Sequence, residues 1–258
     1  MREVEQLQRD IWGVDELEVY PALALKPQTE VGAILMGAFA EGRMVGFVFG
    51  FPGILNGETI IHSDMLGIDE TYRSKNLGYL LKLAQRDAAL ALGVKRITWT
   101  FDPLQSRNAH FNFGKLGVIA DRYYVDYYGV TSSFLHRFGT DRLWVTWLLE
   151  SERVKTRIAG VTTARSELEP LPHLVRVGED LEPVTSDPIS GPELIIEIPG
   201  ELKAHHKRWR EETRKAFTSA IDAGYVVEEF YISDDRRVGR YLLTQNSQDQ
   251  KRASISPS

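Results

Sequence analysis

A strand, a polar loop, a helix and a second strand follow one another over residues 59–101, and this segment constrains the fold more than any other. The strands, at 59–68 and 96–101, are rich in β-branched and aromatic residues. A βαβ unit of this kind has parallel strands joined by a right-handed crossover. The helix pattern predicts one core-facing stripe of apolar residues at helical spacing, formed by Leu77, Leu80, Leu81, Ala84, Ala88 and Ala91.

Shorter elements are predicted on both sides of this unit. Before it, the pattern indicates a helix at the start of the chain and an antiparallel hairpin over 33–51. After it, the pattern indicates a short helix over 108–116 and strands at 118–128 and 143–149. The first helix is marked by apolar residues at helical spacing, namely Val4, Leu7 and Ile11.

Composition divides the rest of the chain. Residues 151–190 carry four prolines and few periodic apolar positions, which predicts a linker or a loosely structured crossover. Residues 191–245 predict a strand, a long helix over 201–223 and two further strands, and 246–258 predict a disordered tail. We therefore expect an α/β (α+β) fold, with a mixed central sheet flanked by helices in 1–150 and a C-terminal α/β extension docked on it.

Composition also excludes several kinds of chemistry. The chain has 258 residues and no cysteine, so disulfides, thiolate zinc sites and a cysteine nucleophile are excluded. The formal net charge of −5 argues against a global nucleic-acid-binding surface. No apolar run approaches the ~18 residues of a membrane span, and the start of the chain lacks the apolar core of a signal peptide. We expect a cytoplasmic protein that binds neither nucleic acid nor membrane.

The loop at 73–78 lies between a strand and the N-terminus of a helix. The first N–H groups of a helix have no acceptor within it, and its dipole is positive at that end. Arg73 and Lys75 add positive charge, so the loop suits an anion such as a pyrophosphate. It matches neither the Walker A loop nor the dinucleotide fingerprint, because the required glycines are missing.

This loop resembles motif A of the GCN5-related N-acetyltransferase (GNAT) superfamily, which reads Gln/Arg-x-x-Gly-x-Gly/Ala after a strand. The matching residues here are Arg73, Asn76 and Gly78, preceded by Tyr72. Asn76 replaces the first glycine of the motif. Because asparagine is the non-glycine residue that best tolerates a positive φ, we expect the loop to keep its shape.

A second segment extends the resemblance. Residues 108–117 are similar to the helix and turn of GNAT motif B, although Val118 replaces the usual aromatic residue. The similarity covers roughly 1–150 and is greatest with a long bacterial subgroup of predicted acetyltransferases, which share the segments seen here at 65–79 and 100–104. GNAT proteins usually begin with a strand that has no place before the first helix here. That edge strand is absent, or the C-terminal region completes or covers the exposed sheet edge.

The resemblance implies acyl transfer from acetyl-CoA or another acyl-CoA, such as succinyl-CoA, to a primary amine by direct attack and without a metal. Strand residues Leu66, Gly67 and Ile68 would pair with the pantetheine amides, and an N–H near Leu66 would polarise the thioester carbonyl. Asn108 would add a contact from motif B. The loop residues implied in cofactor binding are Arg73, Lys75, Asn76, Leu77, Gly78 and Tyr79.

The attacking amine must lose a proton, so a base is expected near this strand. His62 and Asp64 have the same side-chain parity, so both can face one cleft. A histidine needs no large pKa shift to act as a base near neutral pH. A packed histidine is an equal alternative for His62, and Asp64 suits a hydrogen-bonding partner better than a base. GNAT enzymes often use a motif B tyrosine as the acid, but Phe113 stands near that place. The nearby alternatives are Tyr123, Tyr124, Tyr127 and Tyr128, and we choose Tyr128 among them.

Three functions remain open at this stage. The leading one is an N-acyltransferase for a small amine, amino-acid-like acceptors included. Asn76 and Phe113 motivate the first alternative, a non-catalytic GNAT-like module that binds acyl-CoA or a protein partner. The second alternative is an acetyltransferase acting on a protein N-terminus or lysine, and a homodimer is a further expectation. No metal is expected: adjacent His205 and His206 would point about 100° apart on a helix, which is poor ligand spacing.

Overall fold

The computed structural model describes residues 1–73, 75–129, 133, 136, 138–161, 168–245 and 249. In these residues the helices are α1 (Arg2–Trp12), α2 (Ala22–Glu30), α3 (Leu77–Ala91), α4 (Ser106–Ala109), α5 (Glu152–Ile158) and α6 (His206–Asp222). The strands are β1 (Ile34–Ala40), β2 (Arg43–Leu55), β3 (Glu58–Ile68), β4 (Arg96–Phe101), β5 (Ile119–Tyr124), β6 (Arg142–Leu148), β7 (His173–Val177), β8 (Pro183–Thr185), β9 (Glu193–Pro199), β10 (Tyr225–Ile232) and β11 (Val238–Gln245). A π-helical segment, His110–Leu116, continues α4 and ends at Gly117.

The chain forms two compact units. The first contains residues 1–99, 130–137 and 256–258, and the second contains 100–129 and 138–255. Neither unit begins or ends at residue 150, so the 1–150 domain stays a prediction. The predicted tail at 246–258 lies outside the described residues except for Asp249.

The first unit contains a mixed sheet in the order β1-β2-β3-β4. β1, β2 and β3 are antiparallel neighbours, and β3 is parallel to β4, which confirms the predicted hairpin and βαβ unit. The fold class predicted from the sequence, a mixed sheet flanked by helices, is therefore confirmed. β1 is the end strand of this order.

Helices pack on both faces of this sheet. α1 and α2 pack on one face through a core that includes Phe47, and the predicted apolar residues of α1 are all buried there. On the neighbouring position Gly46, a Cβ would meet Leu81 of α3. Because successive residues of a strand face opposite sides, α1 and α3 lie on opposite faces of the sheet. The βαβ crossover thus places the start of α3 beside the end of β3.

The predicted core-facing stripe of α3 is wrong. The buried residues of the helix are Leu81, Lys82, Gln85 and Ala89, whereas Leu80 and Ala84 are exposed. The buried stripe lies about one residue, or about 100° of rotation, from the predicted one. Hydrophobic periodicity does not locate the buried stripe, because two of its side chains, Lys82 and Gln85, are polar and are buried through hydrogen bonds.

The second unit contains a mixed sheet in the order β6-β5-β10-β11-β9-β7-β8. β10 pairs with β5 at Val227 and Ala120, and β9 is parallel to β7. The C-terminal strands therefore extend the sheet from β5, and they do not pair with β1. The expectation that they complete the exposed edge near the first helix is wrong, because β5 offers a free antiparallel edge within their own unit.

α6 packs on the sheet of the second unit through aromatic rings. Phe217 stacks on Tyr123 at 5.6 Å between ring centroids and meets Tyr241 edge-on at 5.1 Å. Trp209 is fully buried and donates its indole N–H to the Leu181 carbonyl at 2.8 Å. The long helix predicted over 201–223 is thus confirmed, with its start shifted to His206.

Several short elements occur where the sequence pattern predicted none. α2 contains Pro27, and α5, β7 and β8 lie within 151–190, the segment expected to be a linker. These elements are too short for a periodic pattern, and tertiary contacts stabilise them. Among the described residues, no helix is long and apolar enough to cross a membrane.

Candidate active site

The candidate site of the first unit begins where β3 and β4 stop pairing. Their parallel register joins Ile61 to Ile97 and His62 to Thr98. Just beyond, the antiparallel register with β2 passes from Ser63 directly to Met65, which leaves Asp64 as a bulge. After this point, β3 continues to Ile68 with β2 as its registered partner.

His62 is held at the last registered pair of the two strands. Its Nδ1 lies 3.0 Å from the Thr98 hydroxyl, and its ring packs 5.6 Å from the ring of Phe51. Burial, together with the charge of Lys82, lowers the pKa of His62 to about 4. The imidazole is therefore neutral at neutral pH. If Nδ1 donates to Thr98, Nε2 carries the lone pair that a base needs.

The expectation that Asp64 faces the same cleft as His62 does not follow from the structure. The bulge interrupts the alternation of side chains along β3, so parity does not place Asp64 on the face of His62. The residue is exposed, and desolvation by the surrounding protein nonetheless raises the pKa of its carboxyl above the usual range. Its role in the site stays a proposal.

The side chains of Leu66 and Ile68 point toward α3, while Gly67 faces α1. A Cβ on Gly78 would lie 3.8 Å from Leu66 and 3.9 Å from Ile68, so the first turn of α3 rests against these residues. A Cβ on Gly67 would meet Ile11 at 2.9 Å, so glycine is required there for α1 to pack closely. In an antiparallel ladder, alternate residues direct their N–H and C=O groups away from the paired strand. The 63–68 stretch of β3 therefore presents alternating donors and acceptors along its other edge.

The loop between β3 and α3 is polar, with two acidic residues at its start and two basic residues, Arg73 and Lys75, next to the helix. Asp69 accepts hydrogen bonds from the backbone N–H and hydroxyl of Thr71, which fixes the turn that leaves β3. Arg73 donates to the Ile68 carbonyl at 3.4 Å, and the Lys75 amine lies 4.3 Å from the centre of the Tyr72 ring. Ser74 lies outside the described residues.

The start of α3 presents backbone donors. Asn76 is the N-cap and takes the left-handed conformation at φ 60°, the positive φ that the sequence led us to expect there. Tyr79 donates its N–H to the Asn76 carbonyl at 3.1 Å, which closes the first turn. Among the described residues, the N–H groups of Asn76, Leu77 and Gly78 have no hydrogen-bond acceptor. Three donors and a helix dipole therefore converge at this point.

Solved structures of N-acetyltransferases are similar to this chain. The ribosomal-protein-S18-alanine N-acetyltransferase from Escherichia coli is 12% identical, with a TM-score of 0.45, over 65% of this chain and 91% of that chain. Aminoglycoside 6'-acetyltransferase type Ii is 16% identical, with a TM-score of 0.45, over 58% and 90%. An aminoglycoside 6'-N-acetyltransferase complexed with coenzyme A is 13% identical, with a TM-score of 0.41, over 58% and 91%. No protein-family model matches the chain, and no curated protein matches it.

Two predicted site residues, Tyr128 and Asn108, belong to the second unit. The Tyr128 hydroxyl lies 3.2 Å from the Thr100 hydroxyl, and the Arg142 guanidinium lies 5.0 Å from the centre of its ring. Tyr128 is exposed, so its hydroxyl is accessible for proton transfer. Asn108 is exposed on α4. Their roles beside His62 stay predictions.

Other phenols of the second unit are engaged in structural contacts. Tyr123 donates to Asp141 at 2.6 Å, and burial beside that carboxylate raises the pKa of its hydroxyl. Tyr241 is fully buried and donates to the Pro103 carbonyl at 2.6 Å. Phe113, at the motif B position, is buried between Phe101 and Tyr241. These contacts favour Tyr128 over Tyr123 as the acid.

The sequence analysis missed two kinds of charged residue. In the first unit, Lys82 is buried beneath β3 and β4, although its place on the helical wheel predicted an exposed face. In the second unit, Arg210 and Arg214 of α6 form bidentate ion pairs with Asp102 and Asp141. The i,i+4 spacing of the two arginines was a visible signal, but a solvated helix face has the same spacing. Among the described residues, no group of three or more His, Asp or Glu could hold a metal ion.

Proposed function

We propose that the protein is an N-acyltransferase that moves an acyl group from acyl-CoA to a primary amine. The start of α3 is the observation that carries the proposal. The N–H groups of Asn76, Leu77 and Gly78 lie at the positive end of the helix dipole. Arg73 and Lys75 belong to the loop that leads to this helix. A helix start of this kind binds phosphate groups, and the pyrophosphate of CoA supplies them.

The described residues fit acyl-CoA as a co-substrate. The edge of β3 over residues 63–68 alternates donors and acceptors, as the two amides of the pantetheine arm require. An N–H near Leu66 would donate to the thioester oxygen as negative charge develops on it. α3 follows β3 directly, so the phosphate-binding turn and the strand edge belong to one crossover.

The proposed reaction is direct attack by the amine. Its nitrogen forms a bond to the thioester carbonyl carbon, and the C–S bond then breaks to release the CoA thiolate. His62 is neutral, so it can take the proton that the nitrogen loses as the C–N bond forms. Asp64 would attract the ammonium form of the amine through its charge, and the ammonium would lose one proton to water before the attack.

Acetyl-CoA is the donor to test first, with succinyl-CoA as the alternative acyl donor. Thermal unfolding of the protein is measured with acetyl-CoA, succinyl-CoA or free CoA. A ligand at 100 times its Kd stabilises the folded state by about 2.7 kcal/mol, which raises the unfolding temperature measurably. An unchanged unfolding temperature with all three at millimolar concentration contradicts the proposal.

A second assay distinguishes an acyltransferase from a non-catalytic module that only binds acyl-CoA. Release of the free CoA thiol is followed with a panel of primary amines that includes amino acids, small diamines and peptides with a free N-terminus or lysine. Thiol release with a small amine supports the proposal, and release only with peptides favours a protein acetyltransferase. Stabilisation by acyl-CoA without thiol release favours the non-catalytic module, for which Phe113 at the motif B position is the supporting observation.

A further inference from the structure

A buried lysine joins three elements at the point where β3 and β4 stop pairing. Lys82 of α3 is 2% exposed. Its amine donates to the hydroxyl of Ser63 at 2.9 Å and to the side-chain carbonyl of Gln85 at 3.0 Å, and it lies 3.7 Å from the centre of the Trp99 ring. Ser63 follows His62 on β3, and Trp99 follows Thr98 on β4, so Lys82 contacts both neighbours of the last registered pair.

We propose that Lys82 is a positioning residue for His62: its amine joins α3 to β3 and β4 at their last registered pair and so fixes the divergence of the two strands. This inference rests on the proposed function. Burying an amine is costly unless it makes strong contacts, so a lysine whose only task was packing would be replaceable by an apolar side chain. Gln85 supports the same arrangement, because its side chain fills the space that a Cβ on Gly50 of β2 would enter.

The charges around His62 show how Lys82 acts on it. Phe51 of β2 and Thr98 of β4, which contact the ring, carry no charge. Arg96 of β4 is paired with Glu58 at 2.8 Å, and Asp64 follows two residues later on the same strand as His62. Burial is the larger cause of the low pKa of His62, and Lys82 is the second cause. Burial also lowers the pKa of the Lys82 amine well below its usual range. Lys82 therefore favours the neutral imidazole that the proposed reaction needs.

The test compares Lys82→Met with the wild type. Methionine keeps most of the side-chain volume and removes the charge and the hydrogen bonds. We expect the pKa of His62, measured by NMR titration of its ring protons, to rise above about 4 and to stay below the ordinary value, because burial, the larger cause, remains. We expect kcat to fall by about tenfold or more, because the base is misplaced. The KM for acyl-CoA should change by less than about threefold, because the phosphate-binding N–H groups are untouched.

Lys26→Met is the matched control. Lys26 lies on α2 with an exposed amine, so this variant makes the same chemical change without altering the pKa of His62 or kcat. The His62 signal is assigned as the one missing from His62→Gln. An unchanged pKa and an unchanged kcat in folded Lys82→Met would overturn the inference.

A second variant covers the case in which Lys82→Met does not fold. Ser63→Ala removes one partner of the amine and keeps the charge, so we expect a lower kcat with the pKa of His62 unchanged. A wild-type kcat in this variant would overturn the inference. The NMR titration requires neither a donor nor an acceptor, so it tests Lys82 even if the protein releases no CoA thiol.

Discussion

The low pKa of His62 defines its chemistry at the scale of a single residue. An ordinary histidine is half protonated near pH 6.5, whereas this one remains neutral down to about pH 4. The cost is low basicity, since an imidazole whose conjugate acid has a low pKa is a weak base and accepts a proton less readily. The imidazole can still take a proton from an amine that is losing basicity as it bonds to carbon. The contact with Thr98 then decides which ring nitrogen is available.

The first prediction concerns the loss of this residue. His62→Gln should lower kcat/KM by at least about tenfold, because glutamine cannot accept the proton. Since the pKa of His62 is about 4, its neutral form persists above that pH. The rate of the wild type should therefore decrease as the pH drops to about 4, where His62 becomes protonated. The rate of the variant should not show this decrease. Wild-type activity in His62→Gln would show that another residue is the base.

Asn76 determines the shape of the phosphate-binding turn at the scale of an element. It holds φ at 60°, a conformation that glycine adopts freely and that a β-branched residue resists. We predict that Asn76→Gly binds acetyl-CoA as the wild type does, whereas Asn76→Val loses about 1–2 kcal/mol of folding stability and binds it more weakly. Thermal unfolding with and without acetyl-CoA measures both. Equal behaviour of the two variants would contradict a role for this backbone conformation.

The charges of the same loop give a separate prediction. Arg73 and Lys75 have exposed side chains, and the ion pair of Arg73 with Glu70 is long at 3.8 Å. Such a pair contributes about 0–1 kcal/mol, so a change of these charges should cost the fold little. Reversing both to glutamate should raise the KM for acyl-CoA with little change in kcat. Lys26→Glu on α2 is the control, and an unchanged KM in the double variant would count against the loop as the phosphate site.

The elements also show which parts of the fold could be predicted from the sequence. The parallel pair β3 and β4 and the turn at Asn76 followed from local patterns, because strand composition and turn chemistry act over a few residues. The buried face of α3 did not follow. Its stripe contains Lys82 and Gln85, whose burial depends on Ser63, nineteen residues before Lys82. Long-range polar partners of this kind leave no periodic signal.

The whole molecule depends on charged contacts that the sequence did not reveal. In the sequence, Asp102 simply follows the predicted strand at 96–101, and the helix predicted over 201–223 carries six basic and four acidic residues. In the second unit, however, Asp102 caps the Leu104 N–H and binds Arg210 108 residues later in the chain. Asp141 is fully buried and accepts from Arg214, Tyr123 and the backbone of Asp126. α6 is therefore held on its unit by ion pairs as well as by aromatic packing.

The last prediction tests how much these pairs stabilise the second unit. Arg210 and Asp102 are 6% and 14% exposed, so Arg210→Leu leaves a largely buried carboxylate without its cation. We expect the free energy of unfolding to fall by about 3–5 kcal/mol. Two residues earlier on the same helix, Arg208 pairs with Glu182, and their side chains are 56% and 42% exposed. Arg208→Leu should therefore cost about 0–1 kcal/mol. Denaturant unfolding of both variants measures the difference, and equal losses would mean that burial of the Asp102 pair does not stabilise the unit.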